Sequence, residues 1–144
     1  MKIKIQKINN NAVIPHYVHK GDVGMDLYSV EDVVLLAGER KLIGTGLKFE
    51  IPMGFELQIR PKSGLAVNFG VTVLNTPGTI DCGYRGEVKV ILFNSSKNDY
   101  QIKKEEKIAQ AVIARVEEAE IEEVEELSET TRGDGGFGST GLKK

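Results

Sequence analysis

Phe55-Glu56-Leu57-Gln58-Ile59-Arg60 alternates without a break, with Phe55, Leu57 and Ile59 on one side and Glu56, Gln58 and Arg60 on the other. Side chains along a strand point to opposite faces in turn, so a period of two gathers the apolar residues onto one face. The same six residues wound as a helix would mix the two sets. The signature recurs outward in both directions. Ile3, Ile5 and Ile8 open the chain with strand-like spacing, Val33–Leu36 is a short apolar run, and Lys41–Ile51 mixes apolar residues with Gly44 and Gly46. Val71 and Val73 flank Thr72. Val88, Val90 and Leu92 alternate, while Ile91 and Phe93 point to burial on both faces there, and Ile108–Val116 is a further apolar run. Between the runs stand GDVG, AGER, IPMG, NTPG and NSSKND, rich in turn formers. Many short strands separated by turn signals predict an all-β sandwich or barrel. No internal repeat is evident.

Two stretches carry a different period. In Glu117–Leu127 the apolar residues Ile121, Val124 and Leu127 are three apart among glutamates, which taken alone predicts a short acidic helix. Ala66–Phe69, after Ser63-Gly64, is suited to a single helical turn.

The 144 residues suit one compact domain, and 40% hydrophobic residues supply a core for it. Charge is nearly balanced at −2 overall, which argues against a general nucleic-acid binder. Residues 117–129 are rich in glutamate and hold no lysine or arginine, so an anionic ligand would avoid them. One cysteine, Cys82, excludes an internal disulfide and argues for a reducing, cytoplasmic setting. The start, MKIKIQKINN, lacks the apolar block of a signal peptide, and no run has the length of a transmembrane helix. A soluble protein with no membrane association is expected.

Candidate chemistry falls in three places. Gly78–Glu87 follows the turn Asn75-Thr76-Pro77 and places Asp81, a possible general base, and Tyr84, a possible stacking ring, on a loop between buried strands. The plain alternative is a hairpin that these residues merely decorate. Pro61–Ala66 offers the Lys62 ammonium, the Ser63 hydroxyl and the unobstructed backbone of Gly64, a set that can hold phosphate; the plain alternative is a junction with Ser63 as helix cap. Arg132–Gly141, RGDGGFGSTG, is half glycine, yet carries Arg132, Phe137 and the Ser139-Thr140 hydroxyl pair. It is not a Walker loop, because no lysine precedes Ser139 and no chain remains for a helix. Such a segment can wrap a ligand, with Arg132 forking onto phosphate and Phe137 stacking on a ring. His16 and His19 read as surface or packing residues, Cys82 as a space-filler, and Asp22 and Asp26 as part of a turn with a satisfied carboxylate.

Taken in order, VGMDLYS (Val23–Ser29), PKSGLA (Pro61–Ala66), NTPGTIDCGYRGE (Asn75–Glu87), KIAQ (Lys107–Gln110) and RGDGGFGSTG (Arg132–Gly141) resemble the ordered motifs of the trimeric dUTP pyrophosphatases. The match runs from about Val23 to Gly141, and the third and fifth motifs are highly specific. The resemblance implies a distorted jelly roll in a homotrimer with shared active sites. It implies hydrolysis of dUTP to dUMP and pyrophosphate, which limits uracil in DNA and supplies dUMP. It implies Mg²⁺ held through the triphosphate and water, with no direct protein ligand. It also implies a body over 1–127, an arm over 128–144 that closes an active site, and an extended 117–127 stretch.

By the same resemblance Asp81 orients and activates the attacking water and contacts the sugar. Tyr84 lies beneath the deoxyribose, where a 2′-hydroxyl would clash. Asn75 and the backbone of Thr79 and Ile80 read uracil in a pocket too tight for the thymine methyl, and Lys89 borders that pocket. Lys62, Ser63 and Gly64 hold phosphate, Gln110 lies near the α-phosphate, and Asp26 supports the metal–phosphate network or a subunit contact. Arg132 grips the γ-phosphate and Phe137 stacks on uracil, with Gly138 and Ser139 beside them. Two departures stand out: Lys62 and Lys107 occupy positions where the family usually has arginine, which keeps the charge and loses the planar fork. A dCTP deaminase shares the fold but would need a glutamate acid/base in the nucleobase pocket, and that pattern is missing. A nucleotide-switched binding module would be marked by loss of the base at position 81 or of the tail, and both are present.

Overall fold

The computed structural model describes residues 1–141. Its elements follow the turn-punctuated pattern: β1 (Lys4–Lys7), β2 (Gly24–Tyr28), β3 (Val33–Leu35), β4 (Arg40–Gly44), β5 (Leu47–Glu50), β6 (Phe55–Arg60), α1 (Ser63–Phe69), β7 (Val71–Val73), β8 (Gly78–Ile80), β9 (Lys89–Asn94), β10 (Tyr100–Ile102) and β11 (Lys107–Arg115). The alternating stretch Phe55–Arg60 is β6. It pairs along its whole length with β11 on one side, and through Leu57–Ile59 with β8 on the other. The four-stranded sheet runs β2-β11-β6-β8, a second sheet runs β4-β9-β7, and β1-β5 and β3-β10 form two-stranded ribbons. All pairs are antiparallel. The all-β expectation is met, and the architecture is a distorted jelly roll.

Leu57 and Ile59 face one core, at 0% and 3% exposure, while Arg60 reaches solvent. Leu27, Leu35, Leu47, Val90, Leu92 and Ile102 meet them there from both sheets and both ribbons. Each such side chain contributes about 1.5–3 kcal/mol on burial, so the core is the main stabilising term. In β9, Val90, Leu92 and Asn94 are buried and Ile91 and Phe93 are half-buried, close to the two-faced burial read from the sequence. Asn94 is tolerated inside because its amide is satisfied. It donates to the carbonyls of Leu35 (3.0 Å) and Asn98 (2.8 Å) and accepts from the Ser96 amide (3.0 Å) and hydroxyl (2.8 Å). A register shift between Lys107 and Ala109 lets the neighbours Ile108 and Ala109 both turn inward.

Several local readings are corrected. The helical spacing of Glu117–Leu127 yields no helix, in line with the non-helical stretch that the resemblance implies, and among the described residues it pairs with no strand. Ile121 and Leu127 are 93% and 87% exposed. Like charges four apart (Glu118 and Glu122, Glu122 and Glu126) repel on a helix, and among the described residues nothing buries the apolar stripe's Ile121 and Leu127 to stabilise one. Ser63 is the first residue of α1 and not its cap. Lys62 occupies the cap position, and no side chain closes that helix end. The helix is also longer than one turn, and it stops at Gly70, whose φ of +67° suits glycine. Asp22 does sit in a turn, accepting the His19 amide at 2.8 Å, but Asp26 lies within β2. His16 and His19 are exposed, and Cys82 is half-buried against the core, as read. The arm was placed at 128–144, and residues 142–144 of it lie outside the described residues.

Candidate active site

Strand register assembles the first cluster. Gln110 of β11 stands opposite Asp26 of β2 on one side and Arg60 of β6 on the other. Lys62 follows the end of β6 and so arrives beside them. Asp26 binds both lysines: one carboxylate oxygen pairs with Lys62 and the other with the Lys107 ammonium at 2.7 Å. Two ammonium groups against one carboxylate leave one net positive charge at this corner. The Gln110 amide donates to the Pro61 carbonyl at 2.9 Å, which ties β11 to the Lys62 loop. Gly24 makes room for that glutamine, since a Cβ there would stand 2.2 Å from its Oε1. Ser63 and Gly64 lie exposed at the uncapped start of α1 next to the lysines.

Burial of Asp26 works to raise its pKa, but hydrogen bonds from Lys107 and Lys62 outweigh it and hold the carboxyl below its ordinary value of 3.8. Lys107 is correspondingly raised by its hydrogen bond to Asp26. The folded protein therefore takes up the Asp26 proton less readily than the unfolded chain. The stabilising effect is complete above the ordinary carboxyl value and is lost as pH falls through the lower folded value. Asp26→Asn should consequently be less stable than the unmodified protein in urea melts at about pH 7, with the difference shrinking toward about pH 2. A difference that stays constant over that range would count against the triad as a stabilising element.

The second cluster is a hollow of about 420 Å³ lined by Leu42, Asn75, Ile80, Tyr84, Glu87, Lys89 and Ile91. Here β8 and the start of β9 bring together Asn75, Ile80, Tyr84 and Lys89, four of the residues selected from the sequence. The Tyr84 hydroxyl donates to the Glu87 carbonyl at 3.0 Å. The hydroxyl end of its ring lies close against Gly86, where an added Cβ would meet the Tyr84 Cζ at 2.4 Å. Arg85 holds the same bend by donating to the carbonyls of Cys82 (2.7 Å) and Tyr84 (2.9 Å).

Asp81 and Thr79 border a different hollow, with Phe55, Glu56, Cys82, Val116 and Glu117. Asp81 is exposed, and its backbone carbonyl accepts the Tyr84 amide at 3.0 Å. Arg132, Phe137, Gly138 and Ser139 are not brought to either hollow. The Arg132 Nε donates to the Gly135 carbonyl (2.8 Å) and the Ser139 amide to the Gly136 carbonyl (2.9 Å), so these hydrogen bonds stay within the segment. The phosphate-type corner lies on the β2-β11-β6 side and the hairpin hollow spans β8 of that sheet and β4 and β9 of the other, and with the Asp81 hollow they do not merge into a single cavity. Two participants were not selected from the sequence: Lys107 as the second partner of Asp26, and Glu87 as a wall of the hairpin hollow. Both stand inside recognised motifs, but only the fold shows what they touch.

Residues 10–141 match the family model described as dUTPase. A deoxyuridine 5′-triphosphate nucleotidohydrolase of Nautilia profundicola is 66% identical over 98% of this chain and 99% of its own length. The protein of the same name from Clostridioides difficile is 58% identical over 97% and 98%. Among solved structures, the dUTPase of Staphylococcus bacteriophage 80alpha with dUpNHpp superimposes with a TM-score of 0.91, at 30% identity, over 98% of this chain and 99% of that one. A variant of the dUTPase from phage phi11 of S. aureus, in which a structural Mg(II) ion is coordinated, gives 0.83 at 26% identity over 90% and 100%.

Proposed function

The chain belongs to the dUTPase family, and from that membership we infer how its residues divide the work of hydrolysing dUTP to dUMP and pyrophosphate. One observation carries the assignment: Asn75, Ile80, Tyr84 and Lys89 line one hollow of nucleoside size. In it the Asn75 side chain and the backbone of Thr79 and Ile80 read the uracil edge. The Tyr84 ring, fixed on Gly86, forms the floor under the deoxyribose and leaves no room for a 2′-hydroxyl. Lys62, Ser63, Gly64 and Gln110 receive the phosphates, helped by the net positive charge of the Asp26 corner. Asp81, exposed on the adjoining loop, accepts a proton from the water that attacks the α-phosphorus. Lysines 62 and 107 keep the charge of the usual arginines, and their shared hold on Asp26 replaces some of the lost rigidity.

Within one chain the Asp81 hollow, the hairpin hollow and the arm stay apart. We therefore place the working site between subunits of a homotrimer, with Arg132 on the γ-phosphate, Phe137 on the uracil ring, and Gly138 and Ser139 beside the phosphates. Among the described residues no group of three or more His, Cys, Asp or Glu side chains is placed to hold a metal, and Asp26 is already bound to two lysines. These residues fit a Mg²⁺ carried on the triphosphate with water completing its shell. When bound, the ion neutralises triphosphate charge. No described helix is long and apolar enough to cross a membrane, and the single cysteine fits a cytoplasmic enzyme.

Pure protein incubated with Mg²⁺ and each of dUTP, dTTP, dCTP and UTP should release pyrophosphate from dUTP about 10²-fold or more faster than from the others. Equal turnover of all four would refute the pocket assignment, and ammonia released from dCTP would indicate a deaminase.

A further inference from the structure

We propose that Glu87 is a positioning residue for the nucleoside hollow, holding the wall that carries Tyr84 and Lys89 against a rigid bend between β4 and β5. The proposal rests on the dUTP reading of that hollow. Its carboxylate enters the bend, where Oε1 accepts the Gly46 amide at 2.9 Å. Gly44 leaves it space, since a Cβ there would come within 2.9 Å of the same oxygen. The anchor is stiff. Gly46 sits at φ +66°, and a Cβ on it would meet side chains of Asn9, Ala12 and Val30 at 2.7–2.9 Å. From that anchor Glu87 reaches both wall residues. Its carbonyl accepts the Tyr84 hydroxyl, and its second carboxylate oxygen lies 3.5 Å from the Lys89 ammonium.

Magnitudes decide which contact matters. The Lys89 pair is long, and the lysine is 44% exposed, so it contributes little alone. The bond to the Gly46 amide is charge-assisted, and the Glu87 side chain is only 21% exposed. Beside it the Thr45 hydroxyl donates to the Val88 carbonyl (2.6 Å) and the Val88 amide to the Leu47 carbonyl (2.8 Å). Those neighbouring bonds keep the strands in place without Glu87. What the carboxylate adds is the position of residues 84–89 relative to the ligand.

The full-length enzyme with Mg²⁺ is compared with Glu87→Ala and Glu87→Gln, measuring KM and kcat for dUTP together with the melting temperature. Glu87→Ala should raise KM about tenfold with kcat within about threefold, because a charge-assisted tether that fixes the pocket is gone. Glu87→Gln keeps an oxygen for the Gly46 amide and should restore KM to within about threefold of the unmodified enzyme. An unchanged KM in Glu87→Ala would overturn the proposal, as would Glu87→Gln losing as much as Glu87→Ala. Parallel loss of KM, kcat and melting temperature in both variants would show a merely structural role and overturn it too. No turnover of dUTP by the unmodified protein would instead strike the dUTP reading itself.

Discussion

Asp81→Asn is expected to bind dUTP with near-unchanged affinity while kcat falls by about 10²–10⁴-fold, and by more if the carboxylate also orients the water. The substitution keeps size and one oxygen but removes the ability to accept a proton. The fold has little to lose by it. Asp81 is exposed, and its contribution to the loop is a backbone bond, the Tyr84 amide to the Asp81 carbonyl at 3.0 Å, which the change leaves in place. Tyr84 remains on Gly86 and held by the Glu87 carbonyl. Affinity and turnover should therefore separate cleanly. Binding by calorimetry with a non-hydrolysable imido analogue, and single-turnover hydrolysis of dUTP, give the two quantities independently. A variant that hydrolyses dUTP at close to the unmodified rate would remove Asp81 from the role of base.

Alternation carried the fold because β6 is paired on both edges and buried on one face, so its sequence had to show a period of two. The same logic failed where tertiary context was lacking. Ile121, Val124 and Leu127 have helical spacing, yet among the described residues nothing buries Ile121 or Leu127, and the surrounding glutamates repel. Asp26 was misread as part of a turn because its neighbour Gly24 resembles a turn glycine. That glycine is there to admit Gln110 across the strands, a requirement invisible in one dimension. The Asp26–Lys62 pair joins residues 36 apart in sequence, and only the register of β2, β11 and β6 makes them neighbours. The hairpin residues were legible as a group because Asn75 to Lys89 is nearly one continuous stretch. Glu87 lies in that stretch, but its partner Gly46 is 41 positions away, so its role could not be read.

Deleting residues 132–144 is expected to leave a folded trimer with an unchanged melting temperature and to reduce kcat by about 10²-fold or more. The stability half follows from the contacts. The Gly133 amide bonds to Thr130 and the Gly135 amide to Arg132, so these bonds run within the segment or to the residues just before it. Phe137 is fully exposed and holds a φ of +49°, a costly conformation for a bulky residue. A solvent-facing aromatic ring on glycine-rich backbone stabilises nothing in the body, but covering it on a nucleobase would contribute about 1–3 kcal/mol. The catalytic half follows from chemistry. Arg132 is always charged and forks onto phosphate oxygens, and among the described residues its side chain holds a carbonyl of its own segment, easily exchanged. Closure by such a segment would exclude water other than the attacking one and strengthen each remaining charge interaction at the site. Arg132→Ala and Phe137→Ala should each lose part of this effect, with the arginine change felt most by the triphosphate and the phenylalanine change by the uracil ring. Light scattering on the full-length and truncated proteins supplies the assembly state. A truncated protein that turns over dUTP at the full-length rate would show that the arm has no part in the reaction, and a full-length monomer with full activity would show that the site is not shared.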